Sequence, residues 1–313
     1  MKIMGINCGR PGGNTEVLLK EALMACEAQG AEVIWLNLHD AKINPCTGCE
    51  ACMMQVMMKK QPPKCIFSGK DDMDAIMAEM ASCDGLIVSI PSFTVGPHGL
   101  WKVFTDRWLP YEWALQIKAG VVDKAPERVA GIICTGGATL NWQTLTLAGL
   151  GIPMFMQSFK VVDMMMGKRM ASPGHVSIVP KYLEQAHKLG ENVANACKLP
   201  YDEVKYVGEM QGWCPVCHNN LMLKAEPHWD GLSYKYECAM CSAGGDFELD
   251  ENGELKFVLA PNGLEHCRLF NEGRANHLDE LGEIHEEFFK HRAEVMEAMG
   301  KYKAYQPRRM FKD

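Results

Sequence analysis

The sequence lacks any long apolar run: its longest candidate, "LTLAGLGIPMFM", is interrupted by Pro153 and falls well short of the ~18 apolar residues that a membrane span requires. No secretory signal is visible: Met1 runs straight into the strand-like "MKIMGIN" with no cleavage site, and a leader is not expected. It lacks a basic excess, with 32 Lys+Arg against 39 Asp+Glu and a net charge of −7. That balance excludes general nucleic-acid binding through a basic footprint. The one locally basic stretch, the terminal "KYKAYQPRRMFKD", reads as a solvated tail. A convincing protein acid or base is also missing. These absences predict a cytoplasmic protein with neither a membrane nor a nucleic acid as partner. In the cytoplasm structural disulfides are rare.

Cysteine, by contrast, is plentiful: 14 in 313 residues. In a reducing compartment clustered cysteines point to metal before disulfide. The apolar fraction of 47% and charged fraction of 23% are those of a globular protein, and the length predicts one large domain plus a smaller module.

The first two-thirds of the chain alternate strand and helix signals. "MKIMGIN", "AEVIWLNL", "GLIVSI", "RVAGIICTGG" and "SFKVVDMM" read as strands. "TEVLLKEALMACEAQG", "DDMDAIMAEMASCD", "GLWKVFTDRWL", "NWQTLTLAGLG" and "PKYLEQAHKLGENVANACK" read as helices. Parallel strands need helical crossovers, so the fold class is α/β, a doubly wound five-stranded parallel sheet over residues 1–205. Residues 206–270 change to short alternating runs with turns such as "HWDGLS" and "DENGE", a small antiparallel module. Residues 271–313 read as one long amphipathic helix with a stripe of Leu278, Leu281, Ile284, Phe288 and Val295, then the basic tail.

"CGRPGGNT", Cys8 to Thr15, lies between the first strand and the first helix. Such a turn aims backbone N–H groups and the positive end of a helix at an anion, and its small residues allow close approach. It is neither GxGxxG nor GxxxxGK[ST], so a dinucleotide fingerprint and a Walker loop are unsupported. The loop resembles the "GSxRxxSNT" phosphate loop of the NADPH-dependent FMN reductase branch of the flavodoxin superfamily. "SIPSFTVGPHGLWKVFTDR" is similar to that family's "GSPVYFGSVSAQLKAFIDR", and "CTGGATLNWQTL" to its Gly-rich loop after the fourth strand. The resemblance implies a flavodoxin-like fold. It implies that Arg10, Asn14 and Thr15 hold the FMN phosphate, with Cys8 where the family usually has Ser. It further implies that Pro91, Ser92, Phe93, Thr94 and Gly96 line the flavin ring, with Thr135, Gly136 and Gly137 closing the other side.

Two cysteine sets remain. Cys46, Cys49 and Cys52 have C-x2-C-x2-C spacing, and Cys65 follows after a twelve-residue gap. Closely spaced loop cysteines can supply three of the four thiolates of a [4Fe–4S] cluster; zinc or simple burial are the alternatives. "PCTGCEAC" and "KDDM" resemble the iron–sulfur flavoproteins, a subgroup of the same family whose gap to the fourth cysteine is shorter. The second set, Cys214, Cys217, Cys238 and Cys241, forms two CxxC pairs separated by twenty residues, the pattern of a structural zinc ribbon. Rubredoxin-type iron uses the same ligands, but its knuckles usually carry Gly where His218 and Ser242 stand here. Cys26, Cys83, Cys134 and Cys197 read as core, and Cys267 and His266 as packing or surface residues.

The resemblance implies an FMN-dependent oxidoreductase. It would pass electrons between NAD(P)H, or a ferredoxin-like donor, and a small-molecule or protein acceptor, with the [4Fe–4S] cluster as relay. An NAD(P)H-dependent flavin or quinone reductase without the cluster is the first alternative, and a non-enzymatic redox-sensing or zinc-ribbon adaptor the second. Flavin sites of this family often lie at subunit interfaces, which implies a homo-oligomer.

Overall fold

A computed structural model describes residues 1–307 and 310; the rest of the expected basic tail, 308, 309 and 311–313, lies outside the described residues. The main sheet is formed by β1 (Lys2–Asn7), β2 (Glu32–Asn37), β3 (Gly85–Phe93), β5 (Arg128–Thr135) and β6 (Phe159–Gly167), all parallel, in the order β2-β1-β3-β5-β6. Its centre is buried on both faces, which is why β3 reads as a near-continuous apolar run, "GLIVSIPSF". A two-residue strand, β4 (Gly96–Pro97), folds back antiparallel on the end of β3. The predicted five strands are thus the five parallel strands, and β4 is a flap on them.

Helices cover both faces. Ile3, Ile87, Val129, Ile133 and Val162 pack beneath α1 (Asn14–Ala28) and α7 (Pro180–Ala196). These two helices cross so closely that a Cβ on Gly190 would lie 2.1 Å from the Ala22 carbonyl oxygen. Met4, Ile6, Leu86, Val88, Ile90 and Ile132 face the other way, against α3 (Met73–Ala81), α4 (Gly99–Thr105) and α6 (Thr146–Met156). Two short helices, α2 (Ala51–Lys59) and α5 (Trp113–Lys118), lie outside these layers.

The C-terminal module has an antiparallel sheet of β7 (Met222–Lys224), β8 (Tyr236–Cys238), β9 (Gly244–Leu249) and β10 (Leu255–Leu259), ordered β10-β9-β8-β7. It is not a bead on a string. Its cysteines join the same apolar core as α6, and Met240 is fully buried against Gly151 of that helix. Arg274, only 4% exposed, donates to the Phe155 carbonyl at 2.9 Å and to Ser158 Oγ at 3.0 Å. It thereby supplies charge and hydrogen bonds to the carbonyl end of α6.

The expected single long C-terminal helix is two: α8 (Asn271–Lys290) and α9 (Arg292–Ala304), separated at His291, whose dihedrals leave the helical region (φ −103°, ψ 12°). Leu278 and Leu281 pack on Met53 and Val56 of α2 and on Leu115 of α5. Ile284, Phe288 and Val295 are exposed, and residues 291–300 are all exposed, so no buried face among the described residues holds α9 in line with α8. No helix among the described residues is long and apolar enough to cross a membrane.

Candidate functional site

Three loops meet at the carboxyl ends of β1, β3 and β5, where open α/β sheets bind ligands. They enclose a pocket of about 390 Å³. The β1–α1 loop contributes Cys8, Gly9, Arg10, Gly13, Asn14 and Thr15, β3 contributes Pro91, Ser92 and Phe93, and the end of β5 contributes Thr135, Gly136 and Gly137. Thr94 and Gly96, expected in the same wall, lie outside the lining, Thr94 in the tight turn between β3 and β4 and Gly96 as the first residue of β4. That turn is strained: Thr94 and Val95 have φ of 50° and 71°, uncommon for residues other than glycine and worst for a β-branched one. Two donors to the Val95 carbonyl hold it, Thr146 Oγ1 at 3.1 Å and the Leu145 N–H at 3.2 Å.

The phosphate loop is built on close contacts. A Cβ on Gly9 would sit 2.1 Å from Thr15 Oγ1, so the chain passes the buried Thr15 hydroxyl only as glycine. α1 begins at Asn14, in the pocket wall, and the first N–H groups of any helix are free of intrahelical partners. Asn14 does not fit its expected part. Its Nδ2 donates to the Met170 and Ser172 carbonyls, both at 2.9 Å, and its Oδ1 accepts from the Val176 N–H at 3.0 Å. With its amide spent, Asn14 ties the loop to the segment after β6, and the donors left for an anion are the backbone, Thr15 and Arg10.

Two residues that sequence reasoning missed line the same pocket: His39, two residues past β2, and His98, the N-cap of α4. His98 Nδ1 accepts from the Leu100 N–H at 3.1 Å and stands 3.2 Å from Cys8 Sγ. His39 Nε2 donates to the Cys8 carbonyl at 3.1 Å. Burial pushes the Cys8 thiol up to about 12, so it stays protonated, and burial followed by the nearby His39 pushes His98 below the usual histidine value. The available sequence signal was position: His39 follows a strand at the ligand-binding end, and His98 directly precedes a helix.

The first cysteine set converges on a second cavity. The twelve residues between Cys52 and Cys65 are not an idle insertion, because they complete α2 and the chain then doubles back on it. Lys60 takes φ 51° to end the helix, and Gln55 holds both backbone groups of Lys64, accepting from its N–H at 2.7 Å and donating to its carbonyl at 3.3 Å. Cys46, Cys49, Cys52 and Cys65 therefore all line one cavity of about 80 Å³, with Arg107, Phe67 and Leu109 among its walls. The Ala51 N–H, followed by the Thr47 side chain, holds the exposed Cys49 below the usual thiol value, whereas burial raises Cys52 to about 11. Beneath, Arg107 and Asp71 form an ion pair at 2.6 Å, both side chains 1% exposed, and Arg107 Nε has no hydrogen-bond partner among the described residues. No three of these four sulfurs lie within 4.8 Å of one another, which disfavours a single zinc ion. A cuboidal cluster gives each thiolate its own iron and does not require that closeness.

The second set is tighter. The sulfurs of Cys214, Cys217, Cys238 and Cys241 lie within 4.8 Å of one another, and all four residues are buried. Cys214 to Cys241 is 3.5 Å and Cys217 to Cys238 is 3.4 Å. A tetrahedral ion with bonds of about 2.3 Å separates its sulfurs by about 3.8 Å, so these four need only a small expansion. In each knuckle the residue after the second cysteine takes the left-handed conformation that glycine would favour, His218 at φ 58° and Ser242 at φ 61°. Their N–H groups donate back to the Cys214 and Cys238 carbonyls, at 3.0 and 2.8 Å. Cys267, expected to pack or lie on the surface, is buried against Cys241.

Residues 1–150 match the NADPH-dependent FMN reductase family. An iron–sulfur flavoprotein of Methanocaldococcus jannaschii is 30% identical over 210 residues, 64% of this chain and 98% of that protein. A flavone synthase of Aspergillus candidus is 26% identical over 296 residues, 90% of this chain and 88% of the relative. A solved structure of a flavone reductase shares the fold from end to end, covering 100% of both chains with a TM-score of 0.77 at 24% identity.

Proposed function

From a chain that belongs to the iron–sulfur flavoproteins of the NADPH-dependent FMN reductase family, we propose an NAD(P)H-dependent oxidoreductase with FMN in the three-loop pocket and a [4Fe–4S] cluster in the Cys46–Cys65 cavity. The observation that carries this reading is the return of Cys65 by α2 and the Gln55 clamp, which makes a four-thiolate cavity from a motif with an unusually long gap. FMN, when bound, supplies the hydride and single-electron chemistry. The protein's part is to bind and orient. Arg10, Thr15 and the first N–H groups of α1 suit the phosphate. The flat walls at Pro91–Phe93 and Thr135–Gly137 suit the ring. Arg107 brings a buried positive charge to the cavity and favours its thiolates in the ionised form. The tight C-terminal cysteine set suits a structural zinc ion.

Anaerobic protein should carry one flavin, about four irons with matching sulfide, and one zinc per chain. Reconstituted protein with zinc and flavin but no iron would remove the cluster. It would leave the second reading, a flavin enzyme reducing or oxidising a conjugated small molecule directly. That reading is favoured by the likeness to the flavone synthase, which runs on through the C-terminal module. The adaptor alternative lacks support, since family membership and the pocket both belong to an oxidoreductase.

A further inference from the structure

The imidazole of His98 is locked by its surroundings into one tautomer. The Leu100 backbone amide can only donate, so the Nδ1 it reaches at 3.1 Å must be unprotonated. The Cys8 thiol, 3.2 Å away and fully buried, adds a second donor to the same nitrogen. An imidazolium would set Nδ1–H against the Leu100 N–H at the positive end of α4. The other titratable or charged side chains lining the pocket are Cys8 and Arg10 of the β1–α1 loop and His39 beyond β2, and among these no carboxylate favours a second proton on His98. The neutral ring therefore carries its proton on Nε2, which has no partner among the described residues. Phe93, 59% exposed, packs its ring edgewise on His98 at 5.2 Å and gives the donor an apolar flank.

We propose that His98 is a fixed, neutral hydrogen-bond donor of this pocket, its Nε2–H directed to the oxygen of a conjugated carbonyl, either that of the isoalloxazine ring or that of an acceptor lying on it. The assignment rests on the flavin reading. A neutral donor keeps its strength across physiological pH and adds no net charge to the site, as an imidazolium would.

Full-length protein labelled with 15N-histidine tests the tautomer, in apo form and with FMN. Long-range nitrogen–proton correlations should give His98 an unprotonated Nδ1 and a protonated Nε2 from about pH 5.5 to about pH 8. A ring that titrates to imidazolium in that range overturns the proposal. The variants test the donor. His98→Ser keeps an oxygen to cap α4 but has no Nε2–H, and His98→Asn restores both acceptor and donor. Dissociation constants are read for FMN from fluorescence quenching and for menadione from perturbation of the bound flavin's absorbance. His98→Ser should weaken one of the two by about tenfold, one hydrogen bond's worth. Loss on FMN assigns the oxygen to the isoalloxazine ring, and loss on menadione alone assigns it to the acceptor. His98→Asn should recover most of either loss. Changes under about twofold in both constants, or a His98→Asn protein as weak as His98→Ser, overturn the proposal. Wild-type protein that takes up no FMN removes the flavin reading itself, and the nitrogen spectra still decide the tautomer.

Discussion

The chain holds two sets of four cysteines, and they differ in nearly every physical respect. Cys214, Cys217, Cys238 and Cys241 are buried, converge within 4.8 Å, and belong to the apolar core shared with α6. Cys46 and Cys49 are exposed, Cys52 and Cys65 half-buried, and they surround a cavity rather than a point. A closed, single-ion geometry adds to folding and keeps solvent out. A wider ring of thiolates with an exposed edge suits a centre that must exchange electrons with something outside. The contrast teaches that spacing identifies a ligand set, whereas burial and spread indicate what it is for.

The largest expected effect follows directly. Cys238→Ser should unfold the C-terminal module, because structural zinc commonly contributes on the order of 10 kcal/mol of binding free energy to folding. Cys49→Ser should leave stability within about 1 kcal/mol, as expected at a surface position, while abolishing iron binding. Thermal unfolding with zinc and iron analysis of both proteins checks this. Equal losses of stability would erase the distinction between the two sites.

Beneath the open set lies the buried Arg107–Asp71 pair, and Asp71→Asn should cost about 3–5 kcal/mol by leaving a guanidinium uncompensated. Burial works against ionisation of Asp71, but Arg107 and the N–H groups of Asn44 and Met73 outweigh it and hold the carboxyl below its usual value. A depressed folded-state pKa contributes stability above the unfolded value of about 3.9, and that stability is lost as pH falls through the folded value. Wild-type protein should therefore show an extra acid loss below about pH 4 that Asp71→Asn lacks. Parallel acid limbs in the two denaturation curves would remove Asp71 as its source.

The closed set is coupled to the main sheet through Met240, so Met240→Ala should cost about 2–4 kcal/mol through the cavity left at Gly151 while zinc content stays unchanged. Zinc lost along with stability would mean that docking, and not the knuckles alone, closes the site.

Legibility followed locality. The five parallel strands could be read because each carries its own apolar run, and the convergent C-terminal cysteine set because each CxxC knuckle is built from adjacent residues. The pocket loops were readable as a set because each follows a strand directly. What escaped depends on contacts between distant segments. His98 meets Cys8 across 90 residues and His39 meets the Cys8 carbonyl across 31. Asn14 spends its amide on carbonyls 156 and 158 residues away, so its donor chemistry looked free in sequence. The break at His291 escaped for a related reason: the apolar stripe continues past Leu281, but the surface beneath it does not.

The smallest effect tests the link that makes the open set a set. Gln55 spans from α2 to Lys64, and this two-bond clamp fixes the residue immediately before Cys65. Gln55→Ala should cost about 1 kcal/mol, since both bonds are near the surface where water replaces them. Its effect on metal should be larger than its effect on folding. A mobile fourth ligand loses conformational freedom on binding, so the cluster should be retained less well while zinc at the closed site stays at one per chain. Iron content and the rate of cluster loss in air, measured against wild type at equal zinc, give the comparison. Unchanged retention would mean that Cys65 is held by its interaction with Arg107, and that the clamp serves only the turn.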